Sequence, residues 1–217
     1  MMTRVLLNLA ATLLVVVALA TASPAAQQRG RQTTATTPKA ATPAAVESKA
    51  ACAGSLGPGV KTKRAFCDVI IGSTGDDSLS MQIPAHTGAA TFYFDLHPRY
   101  EVTDPDADPA KVFQRHRAIV AIVGPTGDVI DRRAVAGEYR TTTDLFDRVA
   151  GDGPGGFKVV SPGMPSTMKV TIPAGISAIG LVGLRLELMN RFTQQAYAET
   201  GRPIAIVSSW RIEYTPR

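Results

Sequence analysis

The strongest constraint on the fold of this 217-residue chain is a period of two in its apolar residues. Leu79, Met81 and Ile83 alternate with Ser78, Ser80 and Gln82, and Phe92, Phe94 and Leu96 alternate with Thr91, Tyr93 and Asp95. Successive strand side chains point to opposite faces, so this pattern buries one face and leaves the other in water. Residues 118–123 form an unbroken apolar run, the mark of a strand covered on both faces. Gly124-Pro125-Thr126-Gly127-Asp128 then signals a turn, and 129–135 resumes as a hairpin partner. Further strands are expected at 66–71, 157–160, 168–172, 179–189 and 204–214. Many short strands separated by Gly/Pro turns argue for an all-β fold, a two-layer antiparallel β-sandwich of jelly-roll-like or immunoglobulin-like type.

One or two short helices interrupt this pattern. Asp108-Pro109 reads as an N-cap and first-turn proline for a helix over 110–115. Thr143 before Asp144, with Arg148 late and Gly151 beyond, predicts a second over 144–148. The stretch 190–200 fits either a third helix or a long hairpin tip. Trp210 falls in the alternation Ile206, Ser208, Trp210, Ile212, Tyr214, which directs it to the core. Met81-Gln82-Ile83-Pro84-Ala85 is echoed by Val170-Thr171-Ile172-Pro173-Ala174, and each precedes a strand with an apolar-acid-Leu core, Phe94-Asp95-Leu96 and Leu186-Glu187-Leu188. The echo is compatible with a pseudo-twofold sandwich, although proline ends strands in many folds.

The first residues read as an address. Arg4, an apolar run over 5–20 and the small-x-small Ala20-Thr21-Ala22 have the form of a secretory signal peptide over 1–22. The run is shorter than the ~20 residues of a spanning helix, so an uncleaved membrane anchor is the lesser expectation. Residues 23–51 are dominated by Ala, Thr, Pro, Gln and Arg and predict a disordered Ala/Thr/Pro linker. A single domain is expected over 52–217. Cys52 and Cys67, the only cysteines, are expected to form a disulfide in an oxidising compartment, tying the Gly-rich 54–59 run to the first strand.

The whole chain carries 23 Lys+Arg against 18 Asp+Glu. From Phe66 to Arg217 the count is 15 basic and 17 acidic, so the basic excess lies before Phe66. Nucleic-acid binding through a basic folded face therefore loses its support, while a flexible basic arm could still touch anionic envelope polymer.

Candidate chemistry is sparse. Asp104, Asp106 and Asp108 have the spacing of a calcium loop, but its sixth position is not Gly and its twelfth is Arg115. His86, His97 and His116 show no paired metal-ligand spacing. His97-Pro98-Arg99-Tyr100 closes a strand near these acids and, with Tyr139 on an outward strand position, is the best candidate ligand-binding set. The Gly151–156 run lacks the GK[ST] ending of a phosphate loop and reads as a mobile loop; there is no Gly-x-Ser-x-Gly elbow. Asp95 and Glu187 could face each other as paired carboxylates, but solvent-facing positions fit them better. No cofactor is implied. Three readings follow, in order: a secreted or periplasmic non-catalytic accessory or binding domain contacting a protein or envelope polymer, a carbohydrate-binding module, and a small secreted hydrolase or metal-dependent enzyme.

Overall fold

A computed structural model describes residues 44–46, 50–104 and 106–217, all within one compact unit. The stretch read as signal peptide and most of the linker lie outside the described residues. The strands are β1 (Ala44–Val46), β2 (Ala50–Cys52), β3 (Ser55–Pro58), β4 (Ala65–Ile70), β5 (Leu79–Gln82), β6 (His86–Glu101), β7 (Gln114–Val123), β8 (Val129–Tyr139), β9 (Val160–Pro162), β10 (Ser166–Ile172), β11 (Ala178–Asn190), β12 (Gln194–Tyr197) and β13 (Pro203–Pro216). They make two antiparallel sheets. The first runs β10-β6-β13-β4-β3, with β1 beside β13 and β9 beside β6; the second runs β2-β5-β11-β7-β8, with β12 beside β11.

The pairing is nested. β7 and β8 meet at the 124–128 turn, where the Gly124 N–H donates to the Asp128 carbonyl at 2.9 Å and Gly127 takes φ +86°. Outward from this hairpin β6 pairs with β10, then β5 with β11, then β4 with β13, and successive pairs alternate between the two sheets. This is jelly-roll wrapping, which decides between the two sandwich types. The Ile-Pro-Ala echo has a place in it. β5 leads into β6 and β10 into β11, each crossing to the opposite sheet, and each echoed strand pairs with the long strand of the other copy.

Between the sheets the period-two residues meet. Phe92, Phe94 and Leu96 from one sheet pack with Leu79, Met81, Val120, Ile122 and Leu181 from the other, all at most 2% exposed. Burial on this scale contributes roughly 1.5–3 kcal/mol per large aliphatic or aromatic side chain. The Cys52–Cys67 disulfide joins β2 of the second sheet to β4 of the first, so it staples the layers at one edge. Ser55–Pro58 pairs with β4 beside it, the expected position of the Gly-rich run.

Several expectations are corrected. Helix α1 covers only Pro109–Val112, because the alternation of β7 already begins at Gln114 and takes Arg115 with it. The second helix is a 3-10 turn over Thr142–Asp144, capped by Thr141; Phe146 is instead drawn into backbone bonding, its N–H donating to the Pro162 carbonyl at 2.9 Å. Residues 190–200 form the β11–β12 hairpin. The stretch read as linker contains β1 and the start of β2: Ala44 lies opposite Tyr214 and Ala50 opposite Met81, since sheet pairing needs only backbone groups.

The alternation through Trp210 is also broken. Ser209 takes φ +54° and the register against β6 shifts between Ser208 and Arg211. This bulge flips the faces. Ile206 and Ser208 lie on the outer side of the sheet, whereas Trp210, Ile212 and Tyr214 turn to the main core.

Candidate binding site

The outer face of the first sheet is roofed by the long connection between β8 and β10. Phe66, Val149 and Ile206 form a second, small core under this roof, joined by Leu56, Phe146 and Val160. His97 is fully buried at its base. Its Nδ1–H donates to the Gly163 carbonyl at 2.8 Å, which fixes the tautomer, and its Nε2 accepts from the Ser208 hydroxyl at 2.9 Å. Phe66 packs edge-on against the imidazole at 5.5 Å and Phe146 lies 5.1 Å above it. Burial holds this imidazole down at about 4, so it is neutral at physiological pH. Tyr100 and Tyr139, 5.4 Å apart, are buried at the end of the gap between the sheets, where Leu145 of the same connection packs on them, and burial raises both phenols. A Cβ added to Gly163 would meet the Tyr100 ring at 2.5 Å, so the roof can approach only as glycine.

Above this base the roof and the 59–63 turn enclose a surface cleft of about 450 Å³, lined by Val60, Thr143, Leu145, Phe146, Arg148 and Phe157. Asp147 latches the two segments together. Its carboxylate accepts from the Lys61 N–H at 2.9 Å, the Thr62 N–H at 2.7 Å, the Thr62 hydroxyl at 2.5 Å and the Arg148 N–H at 2.7 Å. Burial works against its ionisation, but the Thr62 hydroxyl and these amides outweigh it and hold the carboxyl below its ordinary range.

Arg148, next in the chain, has no such partner. Its guanidinium stacks on Phe157 at 4.4 Å, and among the described residues no carboxylate pairs with it; Nε and Nη2 are buried without a hydrogen bond. The Gly-rich loop delivers Phe157 to this position. Gly155 and Gly156 take φ +68° and +80°, which turns the chain back so that Phe157 bridges to Ala150. The cleft thus combines apolar walls and a half-exposed Val60 with the exposed Lys61, the amide-bonded Asp147 carboxylate and the unpaired Arg148 guanidinium.

The sequence-predicted residues are distributed as follows. His97 supports the roof from below, Tyr100 and Tyr139 lie between the sheets, and none of the three is a surface group. Arg99 lies aside, bonded to Asp68 at 3.0 Å and Glu101 at 3.1 Å, and burial pushes the Asp68 carboxyl up against the pull of Arg99. Asp104, Asp106 and Asp108 stay exposed, and among the described residues no three His, Cys, Asp or Glu groups converge as metal ligands. His116 is buried between the sheets 5.9 Å from Tyr100, with burial holding it at about 4; His86 sits apart by the Pro84 turn. Asp95 and Glu187 lie on different sheets, paired to Arg64 and to Arg117. Sequence reasoning missed Val60, Asp147, Arg148 and Phe157. Only the Gly-rich run before Phe157 marked the place.

No family model and no curated protein matches the sequence. Among solved structures the chain is similar to the K1 cleaved adhesin domain of Lys-gingipain from Porphyromonas gingivalis W83. That match has 9% identity over 81% of this chain and 99% of that one, with a TM-score of 0.32. So low a score supports no conclusion about function, and the fold rests on the strand pairing itself.

Proposed function

We propose that this chain is a non-catalytic binding domain of the extracytoplasmic space that holds a protein partner in the roof cleft. The unpaired Arg148 guanidinium in apolar walls carries the reading. A half-buried cation without a counter-charge favours an occupant that brings a carboxylate beside an apolar side chain, such as an exposed chain terminus or an acidic-apolar segment. The Cys52–Cys67 disulfide supports an oxidising compartment, in line with the signal-like first residues. The catalytic alternative has less behind it, because the histidines occupy three separate places and two of them are structural. Neutral-sugar stacking has less as well, since Tyr93 is flanked by Lys169 and Arg211, and Trp210 packs on the core.

The test uses short peptides ending in Leu or Phe, as free carboxylates and as amides, with binding followed by amide chemical shifts. Free-acid peptides are expected to perturb Val60, Arg148 and Phe157, and Arg148→Gln to weaken them about tenfold, the order of one charge-assisted hydrogen bond. Equal binding of acid and amide forms, or an Arg148→Gln protein that binds like the original, would count against the cleft.

A further inference from the structure

The outer face of the second sheet is covered at one end, where Ala121, Val123 and Val182 are buried and Gly75 packs on Gly180, and at the other end its arginines gather. In β7 the inward positions are Ala118, Val120 and Ile122, all fully buried, so Arg115 and Arg117 point outward. Register carries this across the sheet: Glu138 of β8 lies opposite Arg115, and Glu187 of β11 opposite Arg117. Glu138 is shared by Arg115 at 2.6 Å and Arg140 at 3.0 Å. Glu187 is shared by Arg117 and Arg185, each at 3.2 Å. The four arginine side chains remain 53–62% exposed. Arg132, opposite Ala121, is exposed on the same face, and no carboxylate pairs with it among the described residues. Ala134 and Ala136 lie between as small residues, leaving the guanidinium heads as the high points.

Two carboxylates therefore serve four guanidinium groups, and a fifth has no carboxylate partner among the described residues, although from Phe66 on the acids outnumber the bases. Each Glu orients two arginines and leaves part of each fork unbonded. Arg115 and Arg140 hold the Glu138 carboxyl below its ordinary range. Neighbouring strands lie ~4.8 Å apart and alternate residues ~6.8 Å apart, so the heads form a grid with repeat-unit spacing. Between Arg115, Arg117, Glu187, Met189 and Gln194 lies a shallow hollow of about 210 Å³.

We infer that this arginine face docks an anionic polysaccharide, whose regularly spaced sulfate, phosphate or carboxylate groups bridge the guanidinium forks. Charge complementarity selects a polyanion, and bidentate guanidinium geometry suits oxyanions in particular. Phe113, the ring beside these arginines just before β7, is covered by the Arg140 guanidinium at 4.8 Å, and the outer strand positions carry no other, which favours a glycan over single-stranded nucleic acid, whose bases would need open rings to stack on. The surface is distinct from the roof cleft, which lies over the other sheet, so either can fail without the other.

The test is retention of the full chain on immobilised heparin across a salt series. The double variant Arg117→Gln/Arg185→Gln is compared with Lys169→Gln/Arg211→Gln, which removes the same charge beside Tyr93 on the opposite sheet. The basic residues before Phe66 are common to all three proteins. The first double is expected to weaken binding at least tenfold and lower the salt slope by about 2, one for each guanidinium removed. The second is expected to leave both within twofold. Equal weakening in the two doubles, or none in either, would overturn the assignment. Tighter binding of a single-stranded oligonucleotide than of a heparin fragment of equal charge would overturn the glycan class. Circular dichroism on each double variant checks that the sheets are intact.

Discussion

His97 shows how a site-like residue can be structural. A histidine at a strand end beside acids has the ingredients of a catalytic or ligand group. Here both its nitrogens are bonded within the protein, one to the roof and one to Ser208, so it couples the roof to the sheet. The consequence is a dependence on pH. Folded His97 takes up its proton only near pH 4, against 6.5 for the free side chain. Its contribution to stability is therefore complete above pH 6.5 and is lost as pH falls from there to about 4. The loss amounts to about 3 kcal/mol on the shift alone, and His116 adds in the same direction. Thermal midpoints should fall steadily between pH 6.5 and 4, and His97→Gln should flatten that slope. An unchanged slope in the variant would remove His97 as the cause. Asp147 is the second such residue: Asp147→Ala leaves the amides of Lys61 and Thr62 without their acceptor. A cost of about 1–3 kcal/mol is expected, with faster hydrogen exchange confined to the 59–63 turn and the roof.

At the scale of elements, the bulge at Ser209 decides more than any local propensity. A strict period of two through 204–214 would put Ile206 and Trp210 on one face. The extra residue sends them to different cores. Removing Ser209 should set Trp210 directly opposite Phe94 in a regular ladder, with Ile206 still outward and Trp210, Ile212 and Tyr214 still inward. The unfolding transition is therefore expected to stay cooperative, and Ser209→Gly, which relieves the positive φ, should match or exceed the original stability by up to ~1 kcal/mol. A Ser209 deletion that loses the cooperative transition would show that the bulge itself, and not the alternation on either side of it, holds the strand. The free sheet edges are also managed locally. On β8 the Arg132 N–H donates to its neighbour Asp131, and Arg133 reaches across to the Lys169 carbonyl of β10. Side chains thus occupy backbone groups that an added strand would need.

For the whole molecule, the disulfide and the distribution of charge matter most. Cys52–Cys67 closes a loop of sequence separation 15 and also spans the two sheets. Reduction should cost about 3 kcal/mol on the chain-entropy model and lower the thermal midpoint by roughly 6–12 °C for a domain of this size. A midpoint unmoved by reductant would show that the staple adds nothing beyond the core. Charge distributes in a way that counting along the chain cannot show. From Phe66 on the chain is slightly acidic as a sum, yet one face holds five arginines against two glutamates.

The features legible in the chain alone are local: strand class from the period of two, the β7–β8 hairpin from its Gly-Pro turn, and the cysteine pairing from there being only two. Each depends on residues within a few positions of one another or on simple elimination. It took the packing of the two sheets to bring Arg115, Arg117, Arg140 and Arg185 onto one surface, to set His97 beneath a roof and to close Tyr100 and Tyr139 between the sheets. The same packing leaves Arg148 unpaired in a cleft. Alternation tells which side of its own strand a residue occupies. It does not tell which strands lie side by side, because nested pairing joins segments more than a hundred residues apart, such as β4 and β13, through backbone bonds that carry no side-chain signature.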